Sequence, residues 1–306
     1  MNNYGWQVLD FTGFTGLLRY KRGNLLVVHE SQETQELPLI NIAIVLIGNS
    51  VSVSGAVLTK LSELDIALIV CDWKKVPTAI AAPFGDHTRI GARQQAQADL
   101  SLPRRKRAWS NIIKAKVSGQ ACTLRSLGYQ DGYASLQALK KSINSGDSHN
   151  IEAQAARKYW STISGSHMFS RVPGIGTDRW NSALDYGYTI LRGHGIRALT
   201  AAGLIGTLGV FHHGRSNAFA LVDDLMEPFR PALDEFVFSN FEQSGVLEAS
   251  HKHALVEAFT LPFTKTGQTI PTVFEDFAQA YGAYVEDTQR ILEVPHWIGS
   301  NHAQKR

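Results

Sequence analysis

Cysteine is almost missing from this chain: two residues in 306, Cys71 and Cys122, with no CxxC spacing. That pattern excludes a disulfide framework and a thiolate zinc site, and it fits a reducing cytoplasm. Long apolar runs are missing as well. The longest, "IAIVLIG" (42–48) and "IALIVC" (66–71), fall far short of the ~20 residues that cross a bilayer, so no membrane role is expected. The first ten residues, "MNNYGWQVLD", lack the basic-then-apolar order of a secretory signal. No GxxxxGK[ST], HExxH or GxSxG motif occurs, and the GxG at Gly174 to Gly176 follows no strand-like run. Nucleotide-dependent and serine-hydrolase chemistry thereby lose their simplest support.

Acid is missing locally. From Leu100 to Gln130 there is no Asp or Glu, yet the stretch holds Arg104, Arg105, Lys106, Arg107, Lys114, Lys116 and Arg125. The net charge of +3 hides a division: residues 1–221 carry 24 Lys/Arg against 14 acids, and residues 222–306 carry 6 against 13. A cation run is often only a solvated face or tail. Here Trp109, Ile112 and Ile113 recur within it at helical spacing, which puts the charge on a folded surface. An ordered cationic face is the footprint expected for a polyanion such as nucleic acid.

What is present is an ordinary globular composition, 44% hydrophobic and 19% charged, long enough for two domains. The first 80 residues read as β-rich: "QVLDF", "GLLRY", "NLLVVHE", "NIAIVLIG" and "VSVSG" recur with Gly, Asn or Ser between them. A helix capped by Ser54 follows, with Val57, Leu58, Leu61 and Leu64 on one face, and then a buried-type strand "IALIVCD". The stretch from Lys74 to Arg89, with Pro77, Pro83 and Gly85, reads as linker. Beyond it the periodicity is helical, with helices expected around 104–127, 131–145, 150–163, 179–202, 229–242, 249–260 and 270–292. The expected class is α+β: a β-rich domain over 1–80, a linker over 81–95, a larger all-α catalytic domain over 96–296 and a frayed tail over 297–306.

The residues that could carry chemistry are scattered acids and a histidine. Glu152 stands in "NIEAQAARKYW", where Asn150 reads as an N-cap and a first-turn acid suits the helix dipole. Asp224 and Glu227 stand three apart, and would share a face if they opened one helix; Pro228 and Pro231 mark a helix start. His212 lies upstream on a loop or short turn. Carboxylates with one imidazole suit magnesium or manganese, and the alternative that Asp223, Asp224 and Glu227 merely solvate a helix start stays open. A ferritin-like diiron site is excluded, because no Glu-x-x-His motif accompanies these residues.

The segments "GDSHNIEAQAARKYW", "RWNSALDYGYTILRG", "AAGLIGTLGVFHHGRSNAFALVDDLMEPFRP" and "PRRKRAWSNIIKAKVSGQA" resemble the CRISPR-associated protein one family, the integrase-nucleases of spacer acquisition. The wording is closest to the type II branch, and the likeness covers nearly the whole chain. It implies a β domain, a linker and a helical catalytic domain. Metal ligands carried over by motif are Glu152, His212 and Glu227, with Asp224 as an assisting acid, around a magnesium or manganese ion. The implied reaction is attack of a DNA 3′-hydroxyl on a phosphodiester at a CRISPR repeat boundary, or hydrolysis with water as nucleophile. The implied partners are double-stranded DNA, a second copy in a homodimer, the small CRISPR-associated protein two in a heterohexamer, and the type II effector nuclease. Arg104, Arg105, Lys106, Arg107, Lys114, Lys116, Arg157 and Lys158 are the expected DNA-backbone contacts; Arg230 is expected to pair with local acids. The alternative is a catalytically silent DNA-binding scaffold.

Overall fold

The structure is a computed structural model that describes residues 7–29, 33–73, 77–81, 88–167, 169–174, 176 and 178–303. It has two compact units, Met1–Asp86 and His87–Arg306. The class is α+β, a strand-rich first unit followed by a helical one.

In the first unit the strands are β1 (Gln7–Phe11), β2 (Gly16–Lys21), β3 (Asn24–Val28), β4 (Gln35–Pro38), β5 (Ile42–Ile47) and β6 (Val51–Val53). Helix α1 (Gly55–Glu63) leads to β7 (Ala67–Cys71) and β8 (Pro77–Ala81). They form two sheets, in the orders β1-β5-β7-β8 and β4-β3-β2-β6. All six residues of β5 are buried, as an unalternating apolar run requires when it lies between parallel neighbours, here β1 and β7. Leu18, Leu25, Val45, Val57 and Leu61 meet in one core, where each buried aliphatic side chain contributes about 1.5–3 kcal/mol.

Ser54 stands at the N-cap of α1 as expected, with extended backbone, although its side chain makes no cap bond; two other expectations fail. Leu58 and Leu64, expected on the apolar face, are 40% and 48% exposed, while Val57 and Leu61 are buried. The expected linker is partly structured: β8 pairs antiparallel with β7, and residues 90–95 belong to a helix, α2 (Ile90–Ala98). Of the same stretch, 82–87 lies outside the described residues.

The second unit continues with α3 (Leu102–Ser126), α4 (Gln130–Lys141), α5 (Ile151–His167), α6 (Arg179–Ala201), α7 (Ala220–Leu225), α8 (Arg230–Asn240), α9 (Ala249–Ala258), α10 (Ile270–Val285) and α11 (Ser300–Ala303). Pro103, Pro231 and Pro271 fall in the first turns of α3, α8 and α10, where a missing N–H costs nothing. Asp178 caps α6 by accepting from Asn181 N at 2.9 Å. The core between helices is aromatic; Phe229 stacks on Phe274 with centroids 4.6 Å apart.

The tail is not frayed from residue 297. Trp297 is buried, its indole N–H donates to Glu235 Oε2 at 2.6 Å, and Ser300 N donates to Glu235 Oε1 at 2.9 Å. Among the described residues, no helix is long and apolar enough to cross a membrane.

Candidate active site

The start of α5 sets the position of Glu152, and Asn150 does not cap it. Asn150 has a φ of 52°, outside the extended region an N-cap uses. Asp147 takes the role: Oδ1 accepts Ile151 N and Oδ2 accepts Glu152 N, both at 2.9 Å. Two turns further along α5, on the same face, Tyr159 is fully buried and its hydroxyl donates to Asp234 Oδ2 at 2.9 Å. The Tyr188 hydroxyl donates to the other oxygen of Asp234. Burial pushes Asp234 up to about 6, against the pull of both tyrosines. Helices α5, α6 and α8 are thereby pinned together beside Glu152.

Lys116, expected among the DNA-facing cations, turns inward. Its Nζ lies 2.6 Å from Glu152 Oε1 and 2.7 Å from Glu227 Oε2, and its side chain is 13% exposed. Burial opposes the ammonium charge, but the carboxylates of Glu227 and Glu152 outweigh it and raise the lysine above its ordinary value. Glu227 sits in the turn between α7 and α8, so it does not share a helix with Asp224. Burial favours its neutral form, yet Arg230 and Lys116 hold it below the usual carboxylate range. Arg230 Nε stands 3.1 Å from Glu227 Oε1, and its guanidinium lies 4.5 Å from the centre of the Tyr188 ring. The pairing of Arg230 with a local acid is as expected.

Asp224 faces the other way. It is fully buried in α7; Oδ2 accepts Phe211 N at 2.8 Å, His212 N lies 3.4 Å from both oxygens, and His212 Nδ1 is 2.5 Å from Oδ1. A carboxylate against Nδ1 fixes the ring proton there and leaves Nε2 free to accept or ligate. The Asp224 contact raises the imidazole above its ordinary value against the opposing effect of burial. Gly209 makes the loop possible: a Cβ there would lie 2.3 Å from His212 O and 2.9 Å from Asp224 Oδ2. Phe211 stacks on buried Trp109 at 4.4 Å. Asp223 turns outward to a two-pronged contact from Arg192, with Nη2 2.6 Å from both oxygens.

The expected cations divide. Lys106, Arg107, Lys114, Arg157 and Lys158 are all exposed. Arg104 is engaged within the fold: it pairs with Asp287 at 3.1 Å, donates to Tyr284 O and lies over the Tyr284 ring. Arg105 is half-buried. Sequence reasoning missed Asp147, Gly209 and the inward turn of Lys116. The last had a signal, because Lys116 continues the buried stripe Trp109, Ile112, Ile113 at positions i, i+3, i+4 and i+7.

Among the described residues, no group of three or more His, Cys, Asp or Glu is arranged to hold a metal ion. The reason is local: Lys116 stands between two of the expected ligands, and Asp224 is spent on the loop and on His212. The donor chemistry still suits a hard cation. Two carboxylates from separate elements already share one positive charge, and buried Glu227 Oε2 accepts no well-formed hydrogen bond despite the nearby ammonium.

A strand-rich unit followed by a helical unit with paired carboxylates and an oriented imidazole is the frame in which the likeness to known proteins falls. The family model described as CRISPR associated protein Cas1 matches residues 11–261, and the chain belongs to that family. It is 33% identical over 235 residues, 76% of this chain and 75% of the relative, to the CRISPR-associated endonuclease Cas1 of Neisseria meningitidis serogroup C (strain 8013). Its fold is similar to that of a casposase bound to integration product, with a TM-score of 0.75 at 19% identity, covering 96% of this chain and 94% of that one. A chain of a Cas6-RT-Cas1–Cas2 complex matches with a TM-score of 0.76 at 17% identity, over 100% of this chain and 37% of that chain.

Proposed function

We propose that this protein is a metal-dependent DNA integrase and endonuclease that inserts short DNA fragments into a CRISPR array, of the type II branch. The observation that carries the reading is the meeting of Glu152 and Glu227 around one positive charge, with His212 oriented by Asp224. Glu152, Glu227 and His212 Nε2 would hold magnesium or manganese. When bound, such an ion supplies Lewis-acid stabilisation of charge developing on a phosphate oxygen. Asp224 keeps the imidazole in the ligating tautomer, and Arg230 keeps Glu227 ionised. Lys106, Arg107, Lys114, Arg157 and Lys158 grip the DNA backbone, which positions the duplex without reading its sequence.

Relatives support the assignment of substrate and partners: one is an endonuclease by name, one neighbour is bound to an integration product, and another belongs to a Cas1–Cas2 complex. The working assembly on this reading is a homodimer joined through the first unit, where Ile40, Leu58 and Leu64 are exposed, bound to CRISPR-associated protein two in a heterohexamer in the cytoplasm. The type II effector nuclease is a further partner.

The test is a strand-transfer assay with manganese and the small partner protein. Glu152→Ala removes a ligand and no exposed cation, so joining should fall below detection while duplex affinity stays near wild type. Joining at the wild-type rate would leave the chain as a DNA-binding scaffold with its chemistry elsewhere.

A further inference from the structure

Lys116 has no part in that chemistry, yet it occupies the centre of the site. A buried ammonium is costly unless it is paired on every side, and here the pairing is with two carboxylates that come from α5 and from the turn before α8. The contacts, at 2.6 and 2.7 Å, reach one oxygen of each acid across the site. Arg230 takes the remaining oxygen of Glu227, Oε1, and so leaves the Oε2 side to Lys116. At Oε2 the contact is an ion pair of 2.7 Å made by the end of a flexible stem. A compact point charge on a flexible four-carbon stem can leave such a place without dragging backbone with it, whereas a guanidinium fork could not do so easily.

We propose that Lys116 is a tethered counter-ion for the metal seat: its ammonium holds Glu152 and Glu227 together in the metal-free protein and must swing out before a divalent ion can take the same oxygens. The inference rests on the metal-site reading above and adds two properties to it. First, an internal competitor weakens metal binding, because each entering ion must displace a cation already in place. Second, the displaced ammonium needs an anion, and a DNA phosphate is the anion at hand. Metal and DNA therefore bind with positive coupling through Lys116, and the coupling is reciprocal. An ion would be held firmly only when substrate is present, which limits stray hydrolysis.

The measurement is manganese affinity, read by calorimetry on the full chain as wild type, Lys116→Met and Glu152→Gln, with and without a short duplex. Lys116→Met should bind manganese about tenfold more tightly than wild type without DNA, since two close carboxylates lose their competitor. The duplex should tighten manganese binding to wild type by a larger factor than to Lys116→Met. Equal or weaker binding by Lys116→Met, with Glu152→Gln binding lost, overturns the counter-ion role and leaves the metal site standing. Wild-type affinity in Glu152→Gln overturns the site itself and the counter-ion with it. Should Lys116→Met not fold, the wild-type protein still decides: the 15N resonance of the Lys116 ammonium should move when magnesium is added, and a resonance unmoved at saturating magnesium refutes the displacement.

Discussion

Replacing Asp224 with asparagine should unpin the loop that carries His212. The carboxylate is fully buried and serves Phe211 N, His212 N and His212 Nδ1 at once. Asparagine keeps one oxygen but turns an NH2 group toward donors, which leaves at least one buried donor facing another. Hydrogen bonds to charged groups contribute about 1.5–3 kcal/mol each, and a stranded buried donor costs a further ~1–3. With partial relaxation of the loop, a net loss of about 3 kcal/mol is expected. In a unit of this size that corresponds to a fall in melting temperature of about 6–12 °C. His212 also loses the group that fixes its tautomer, a change that typically lowers metal affinity or activity about 10–100-fold. Scanning calorimetry and the strand-transfer assay read the two effects separately. A melting temperature within about 2 °C of wild type, with joining unchanged, would refute the anchoring role of Asp224.

His212→Ala should lose manganese-dependent joining while His213→Ala keeps most of it, because His212 is the one held against Asp224; the reverse ranking would transfer the ligand role. Arg107→Glu should weaken binding to unrelated duplexes and flatten the salt dependence, by about 0.9 in log–log slope for each phosphate the protein no longer neutralises. An unchanged salt slope in Arg107→Glu would move the DNA footprint elsewhere. Arg104→Glu should instead lower the melting temperature, since it breaks the pair with Asp287 and the Tyr284 stack. His194 is fully buried and burial lowers it to about 3, so the unfolded chain binds a proton that the folded chain refuses. Stability held above about pH 6.5 should then be lost as pH falls toward 3, at up to about 1.4 kcal/mol per unit. His194→Phe should shift the acid-unfolding midpoint to lower pH, and an unmoved midpoint would deny His194 that role.

The change from strand-like to helical periodicity is legible because β5 and α3 bury continuous stripes. The elements that escape sequence reading are held by other forces. β4 and β8 are edge strands, and "QELP" and "PTAIA" show little apolar alternation. Helix α2, "IGARQQAQA", has few apolar side chains and is fastened by polar ones: Arg93 Nη1 donates to Ala202 O at 2.7 Å, and Gln97 Nε2 to Ile205 O at 2.9 Å. Partners more than 100 residues away in sequence leave no local trace. Glu152, His212 and Glu227 are proposed as ligands from the motifs of the resemblance, and the structure adds that Lys116 pairs with both acids. The part played by Lys116 is readable from its stripe but is masked by its neighbours: a lysine among six other cations looks like surface.

The bond from Trp297 to Glu235 has a consequence for how this chain can be trimmed. Glu235 lies on α8, five residues after Arg230, and accepts from the Trp297 indole and the Ser300 amide, both near the end of the chain. Cutting before Trp297 would bare the Phe263 ring that packs on the indole and strand an almost fully enclosed carboxylate. The helix that presents Arg230 to Glu227 is thus clamped from the far end of the polypeptide. A deletion that removes Trp297 and Ser300 should therefore loosen the helix that presents Arg230 to Glu227.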